Sequence, residues 1–175
     1  MARFDDCLAF ILEREGGYVD LHADHGGPTN KGVTQTTYDN YRTAHALPLQ
    51  SVQYMTDPEC RAIYSLLYWA PLHADVLPQP IDLVMFDAAV QHGVSRAVKL
   101  LQGTVAGMVV DGIMGVATMA VTHGGDPLKL AGQIIWARQR FYDRIVLNDP
   151  TQAVFLNGWK NRLVLLQKAA GLPEA

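Results

Sequence analysis

The sequence predicts a mainly α-helical protein built as two lobes that meet near residue 80, with an irregular loop or short β-hairpin after the first helix. Three observations predict it. Apolar residues recur at helical spacing through most of the chain. Three Asp-Pro pairs, Asp57-Pro58, Asp126-Pro127 and Asp149-Pro150, each precede such a run; Asp caps free N–H groups and Pro fits the first helical position. Only residues 18–36, YVDLHADHGGPTNKGVTQT, lack the period and concentrate Gly, Asp, Thr and Pro.

The first helix is expected over 3–15, where Phe4, Cys7, Leu8, Ile11 and Leu12 share a face and Gly16-Gly17 stops the run. After the Gly-rich stretch, helices are expected over 36–45, 58–69, 81–92, 94–103 and 115–123. Pro71, Pro78 and Pro80 mark a loop, Gly93 separates two helices, and Val110-Asp111-Gly112 makes a turn. A long helix is expected over 127–147, with Leu128, Ala131, Ile135, Arg138, Tyr142 and Ile145 along one stripe, and a last one over 150–170. Trp69, Trp136 and Trp159 sit within apolar helical patterns and are expected in the core. The domain reading is 1–80 for the first lobe and 81–175 for the second.

Composition narrows the function classes. With 175 residues, 49% hydrophobic and 18% charged, and a mean hydropathy of +0.05, the chain suits neither disorder nor a membrane protein. No stretch approaches the roughly 20 apolar residues of a membrane span. The charged N-terminus reads as mature protein rather than as a secretory signal, so synthesis in the cytoplasm is expected. The net charge of −3 argues against a nucleic-acid binder, although the charge is uneven: residues 126–175 carry seven basic and four acidic groups. That basic segment either faces an anionic polymer or is a solvated helix face. Cys7 and Cys60 form no CxxC pair and fit two isolated thiols in a reducing compartment.

The most informative stretch runs from Glu15 to Thr34. Glu15 follows Leu8 and Ile11 at helical spacing, so a carboxylate continues an apolar face. The negative end of a helix dipole and partial burial both favour its protonated form, as a general acid requires. Asp24 lies nine residues on, in a polar loop where it stays ionised. Two carboxyl groups in contrasting settings are what glycosidic cleavage needs. Thr29 offers a hydroxyl to hold water, and Gly26, Gly27 and Gly32 allow the backbone to approach a sugar. Against this stands a Glu15 that turns outward or pairs with Arg14. The order Asp20, His22, Asp24, His25 matches neither zinc nor EF-hand spacing, so no metal or cofactor is expected.

These residues resemble the start of glycoside hydrolase family 108, the N-acetylmuramidases of phage endolysins and related bacterial proteins. The matching elements are Glu15-Gly16-Gly17-Tyr18, Asp24, Gly26-Gly27-Pro28-Thr29 and Gly32-Val33-Thr34. The second half resembles the predicted peptidoglycan-binding region that accompanies the family, through Asp87 to Gly93, Leu101-Gln102 and Asp111 to Thr118; Gln91 stands where many relatives carry Asn. The resemblance implies a lysozyme-like helical fold and cleavage of the β-1,4 bond between N-acetylmuramic acid and N-acetylglucosamine. Glu15 would be the general acid, Asp24 the second carboxylate and Thr29 the residue that positions water. Similarity to phage-type lysozymes implies inversion at the anomeric carbon.

Tyr18, Gln91 and His92 are the candidate substrate-binding residues, each with packing or capping as its plainer role. Tyr64 and Tyr68, at i and i+4, fit a cleft or a core equally. The resemblance implies peptidoglycan strands as the partner, no nucleic acid, no stable membrane insertion, a monomer, and action on the periplasmic wall after release with a separate holin-like permeabilising protein. The alternatives are a non-catalytic wall-binding or secretion-assisting protein, a chitinase- or chitosanase-like glycosidase, and a lytic transglycosylase.

Overall fold

A computed structural model describes residues 2–20 and 27–173. Among these are eight α-helices and one two-stranded hairpin, the mainly α, lysozyme-like fold expected. The chain divides into two compact units, Met1–Trp69 and Ala70–Ala175.

In the first unit, helix α1 (Ala2–Leu12) buries Phe4, Cys7, Leu8 and Ile11, the stripe set by its 3.6-residue period. Phe4 meets the buried Trp69 ring edge-on at 5.2 Å. Strands β1 (Thr29–Asn30) and β2 (Val33–Thr34) pair with Thr29 opposite Thr34 and Asn30 opposite Val33. The two residues between them, Lys31 and Gly32, have φ of 49° and 74°, the positive pair that a tight I′ hairpin turn demands. The buried Asn30 amide donates to the Val52 carbonyl at 3.0 Å and ties the hairpin to a short 3₁₀ turn, Val52–Tyr54.

Thr34 caps α2 (Gln35–Ala44), and Thr56 with Glu59 forms a capping box on α3 (Asp57–Tyr64). The cap of α3 is therefore Thr56, one residue before the Asp57-Pro58 pair. Glu59 also accepts from the Tyr38 hydroxyl at 2.9 Å and pairs with Arg42, joining the two helices. Burial alone would raise the Glu59 carboxyl pKa; its bonds from Thr56 and Tyr38 and the Arg42 charge reverse that and lower it. A π-helical turn, Ser65–Trp69, continues from α3.

In the second unit, α4 (Ile81–His92) is buried at every position from Ile81 to Ala89, a helix apolar almost all round. Helices α5 (Val94–Gln102) and α7 (Pro127–Asn148) pack on α4, and α8 (Ala153–Ala169) packs on α7. The short α6 (Val116–His123) leads into α7. Asp126 caps α7 through the Leu128 and Lys129 N–H groups, and Asp149 caps the 3₁₀ turn that enters α8, as the Asp-Pro pairs predicted.

The α7 stripe is Leu130, Ala131, Ile134, Ile135, Arg138 and Tyr142. Leu128, in the first turn, is exposed, and Trp136, expected in the core, is 60% exposed. The reason is angular: Trp136 follows Ile135 by one residue, about 100° round the helix. Trp159 is half-buried and stacks on Tyr142 at 5.0 Å.

Asp87 on α4 is fully buried with Arg138 of α7 and Arg162 of α8, at 2.8 Å from each guanidinium. Burial would raise the Asp87 pKa, but the two cations outweigh it and hold the carboxyl below its usual range. Gln102 makes a second buried polar knot. Its amide nitrogen donates to Asp111 Oδ1 and Thr118 Oγ1 at 2.7 and 3.0 Å, and its oxygen accepts from the Gly112 N–H at 2.8 Å. Gly112 has φ +81°, and a Cβ there would lie 2.4 Å from Ser95 Oγ, which is why that turn carries Gly.

Candidate active site

The geometry around Glu15 is set by where α1 stops. The helix ends at Leu12, three residues short of the predicted boundary. One more turn follows, in which the Glu15 N–H donates to the Ile11 carbonyl at 3.2 Å. Arg14 folds back over the Phe10 ring, 3.5 Å from its centroid, and pairs with Glu13. Gly16 and Gly17 then let the chain swing out to Val19. There it bridges to Thr29 through two backbone hydrogen bonds of 2.8 and 2.9 Å. That bridge sets Val19, four residues after Glu15, beside Thr29. Asp24, His22, His25 and Gly26 lie outside the described residues.

Glu15 is half-buried against the tip of the hairpin. A Cβ added to Gly32 would come within 2.9 Å of Glu15 Oε2 and 2.6 Å of the Tyr64 hydroxyl, so both oxygens flank one point on the turn. Tyr64, buried on α3, donates to the Lys31 carbonyl at 2.8 Å and fixes the turn from behind. Gly32 was expected to admit a sugar; its missing Cβ instead makes room for Glu15 and Tyr64. Tyr68 lies 5.7 Å from Tyr64 between ring centroids. Burial raises the Tyr68 hydroxyl pKa, and the Glu15 charge raises it further. Lys31 pairs with Asp57, and this hydrogen bond holds its proton more tightly than usual. Cys60 is buried, and burial pushes its thiol up to about 11.

Thr29 sits in β1 with its hydroxyl donating to the Gly27 carbonyl at 3.2 Å. Tyr18 is 39% exposed, its hydroxyl 3.4 Å from Asp20 Oδ2. Desolvation and the Asp20 charge raise its pKa. Tyr18 and Thr29 thus lie at the Val19–Thr29 bridge, while the Glu15 carboxyl lies against the Gly32 turn with the Tyr64 hydroxyl. The pairing Asn30-Lys31-Gly32-Val33, a turn dipeptide between strand residues, was the signal for this hairpin.

Gln91 and His92 lie in the second unit. Gln91 is exposed on the last turn of α4. The His92 ring sits 5.3 Å from both Phe141 and Tyr142, and burial, reinforced by the Arg138 charge, pushes its pKa down to about 4. It is a neutral imidazole at neutral pH. Among the described residues, no cluster of three or more His, Cys, Asp or Glu is placed to hold a metal ion, and no helix is long and apolar enough to cross a membrane.

Comparison with known proteins agrees with this layout. Residues 8–93 match the family model described as glycosyl hydrolase 108, and residues 96–164 match the predicted peptidoglycan domain. The structure of Brucella abortus SagA is similar, with a TM-score of 0.79 and 29% identity over 97% of this chain and 94% of that one. No curated protein matches. The chain is thus a glycoside hydrolase that carries a peptidoglycan-binding region. Its segment 8–93 belongs to the glycosyl hydrolase 108 family.

Proposed function

We propose that the protein is a muramidase that hydrolyses the β-1,4 bond between N-acetylmuramic acid and N-acetylglucosamine in peptidoglycan, as an endolysin does, with Glu15 as proton donor. The observation that carries the reading is the placement of Glu15. Its carboxyl is half-buried where the first helix ends, held against the Gly32 turn with the Tyr64 hydroxyl. Asp24 is the second carboxylate; it steadies positive charge on the sugar or activates water. Thr29 positions that water, Tyr18 packs on a sugar ring, and Gln91 hydrogen-bonds an acetamido group. His92, being neutral, serves as a hydrogen-bond group rather than a cation. The enzyme works as a monomer on the wall, reached from the cytoplasm through a separate permeabilising protein.

Product analysis tests the bond. Sacculi digested by the protein and reduced with borohydride yield muramitol if the proposed bond is cut. Glucosaminitol would assign the other glycosidic bond, and non-reducible anhydro ends would assign a lytic transglycosylase; either result removes the muramidase reading.

A further inference from the structure

The basic residues of the second unit are not spread evenly. Arg96 and Lys99 on α5 face Arg140 and Arg144 on α7 across an open groove of about 440 Å³, whose walls also hold Trp136 and Phe141. No acidic residue lines it. Trp136, Arg140 and Arg144 fall at i, i+4 and i+8, so one helix face presents them in a row. The Arg140 guanidinium lies 4.7 Å over the Trp136 ring, and that of Arg96 lies 5.0 Å over Phe141. Stacking fixes a guanidinium plane while leaving its N–H edges free to bind an anion.

Among the described residues, none of these four cations is ion-paired with a carboxylate, although Lys160 nearby on α8 pairs with Asp143. All four are exposed to solvent; Lys99 also lies near enough to Asp111 for its charge to lower that carboxyl's pKa, while Arg96, Arg140 and Arg144 line the groove with no carboxylate in its walls.

We propose that this groove binds the carboxylates of peptidoglycan stem peptides, with the exposed Trp136 indole stacking on a sugar ring of the same strand. The proposal rests on the reading that the segment 96–164 faces the wall. Planar guanidinium forks match carboxylates two bonds at a time. Peptidoglycan spaces its carboxylates along a neutral glycan. A continuous polyanion such as a nucleic acid would extend beyond the groove and meet a chain whose net charge is −3.

The test is co-sedimentation with insoluble sacculi, in the Glu15→Gln background and, on ice, in the wild-type chain. Arg140→Ala/Arg144→Ala should weaken binding about tenfold with an unchanged melting temperature, because both side chains are exposed. Sacculi whose carboxyls have been converted to amides should bind the parent protein about as weakly as native sacculi bind the double variant. Trp136→Ala should weaken binding to native sacculi as well. Equal binding by parent and double variant, or equal binding to native and amidated sacculi, would overturn the proposal. Tighter binding to duplex DNA or to phosphatidylglycerol vesicles than to sacculi would also overturn it. The identity of the cleaved bond is read from released ends, so a failure there leaves this binding result standing, and the reverse holds.

Discussion

Gly32 is the position where backbone, support and proposed acid meet, and Gly32→Ala is the sharpest probe of that arrangement. Two costs follow from the structure. At φ +74° an alanine occupies the left-handed region, at about 1–2 kcal/mol. Its Cβ would also stand 2.6 Å from the Tyr64 hydroxyl and 2.9 Å from Glu15 Oε2, so both side chains must move. Displacing Tyr64 weakens its 2.8 Å bond to the Lys31 carbonyl, worth about 1 kcal/mol. The total is about 2–3 kcal/mol, or roughly 4–12 °C in melting temperature for a chain of this length. A carboxyl moved by about 1 Å lowers turnover by about a hundredfold if it is the catalytic acid. Differential scanning calorimetry reads the first effect and release of reducing ends from sacculi the second. A variant with wild-type stability would refute the packing account, and one that is destabilised but fully active would refute the link between this turn and catalysis.

Asp87→Asn removes the negative charge that Arg138 and Arg162 share in a buried site, and should cost about 3–5 kcal/mol in thermal or urea unfolding. The exposed Lys31–Asp57 pair is the contrast: Asp57→Asn should change stability by less than about 1 kcal/mol. His92 has a folded pKa of about 4 against an ordinary 6.5, so the unfolded chain takes up the proton first as pH falls. Its contribution is complete above pH 6.5 and is lost between 6.5 and 4, at most about 3 kcal/mol, and His92→Phe should flatten that part of the unfolding profile. Cys7 and Cys60 are both buried thiols, so a thiol reagent at neutral pH should label neither until the chain is denatured.

The helices were legible because each carries a local signal. Period-3.6 stripes marked α1 and α7, and Asp126 and Asp149 cap the elements they were expected to start. Leu128 shares the α7 stripe by spacing but sits in the first turn and is exposed, whereas Trp136, expected in the core, lies about 100° round from Ile135. The end of α1 was placed too late because Gly16-Gly17 marks where helix is impossible, while the chain leaves the helix at Leu12. The supports of Glu15 were not legible. Tyr64 and Gly32 are 49 and 17 residues away in sequence, and only the hairpin turn brings them to the carboxyl. The Asp87, Arg138 and Arg162 cluster joins three helices and leaves no local trace, though the buried position of Arg138 in its stripe was a hint.

The central claim is that Glu15 donates the proton, and Glu15→Gln tests it most directly. The amide keeps the shape and removes the transferable proton. The account predicts unchanged folding, unchanged binding to sacculi, and a rate of reducing-end release lowered by about 10²–10⁴-fold. A folded Glu15→Gln protein that releases the same products at the wild-type rate would contradict it.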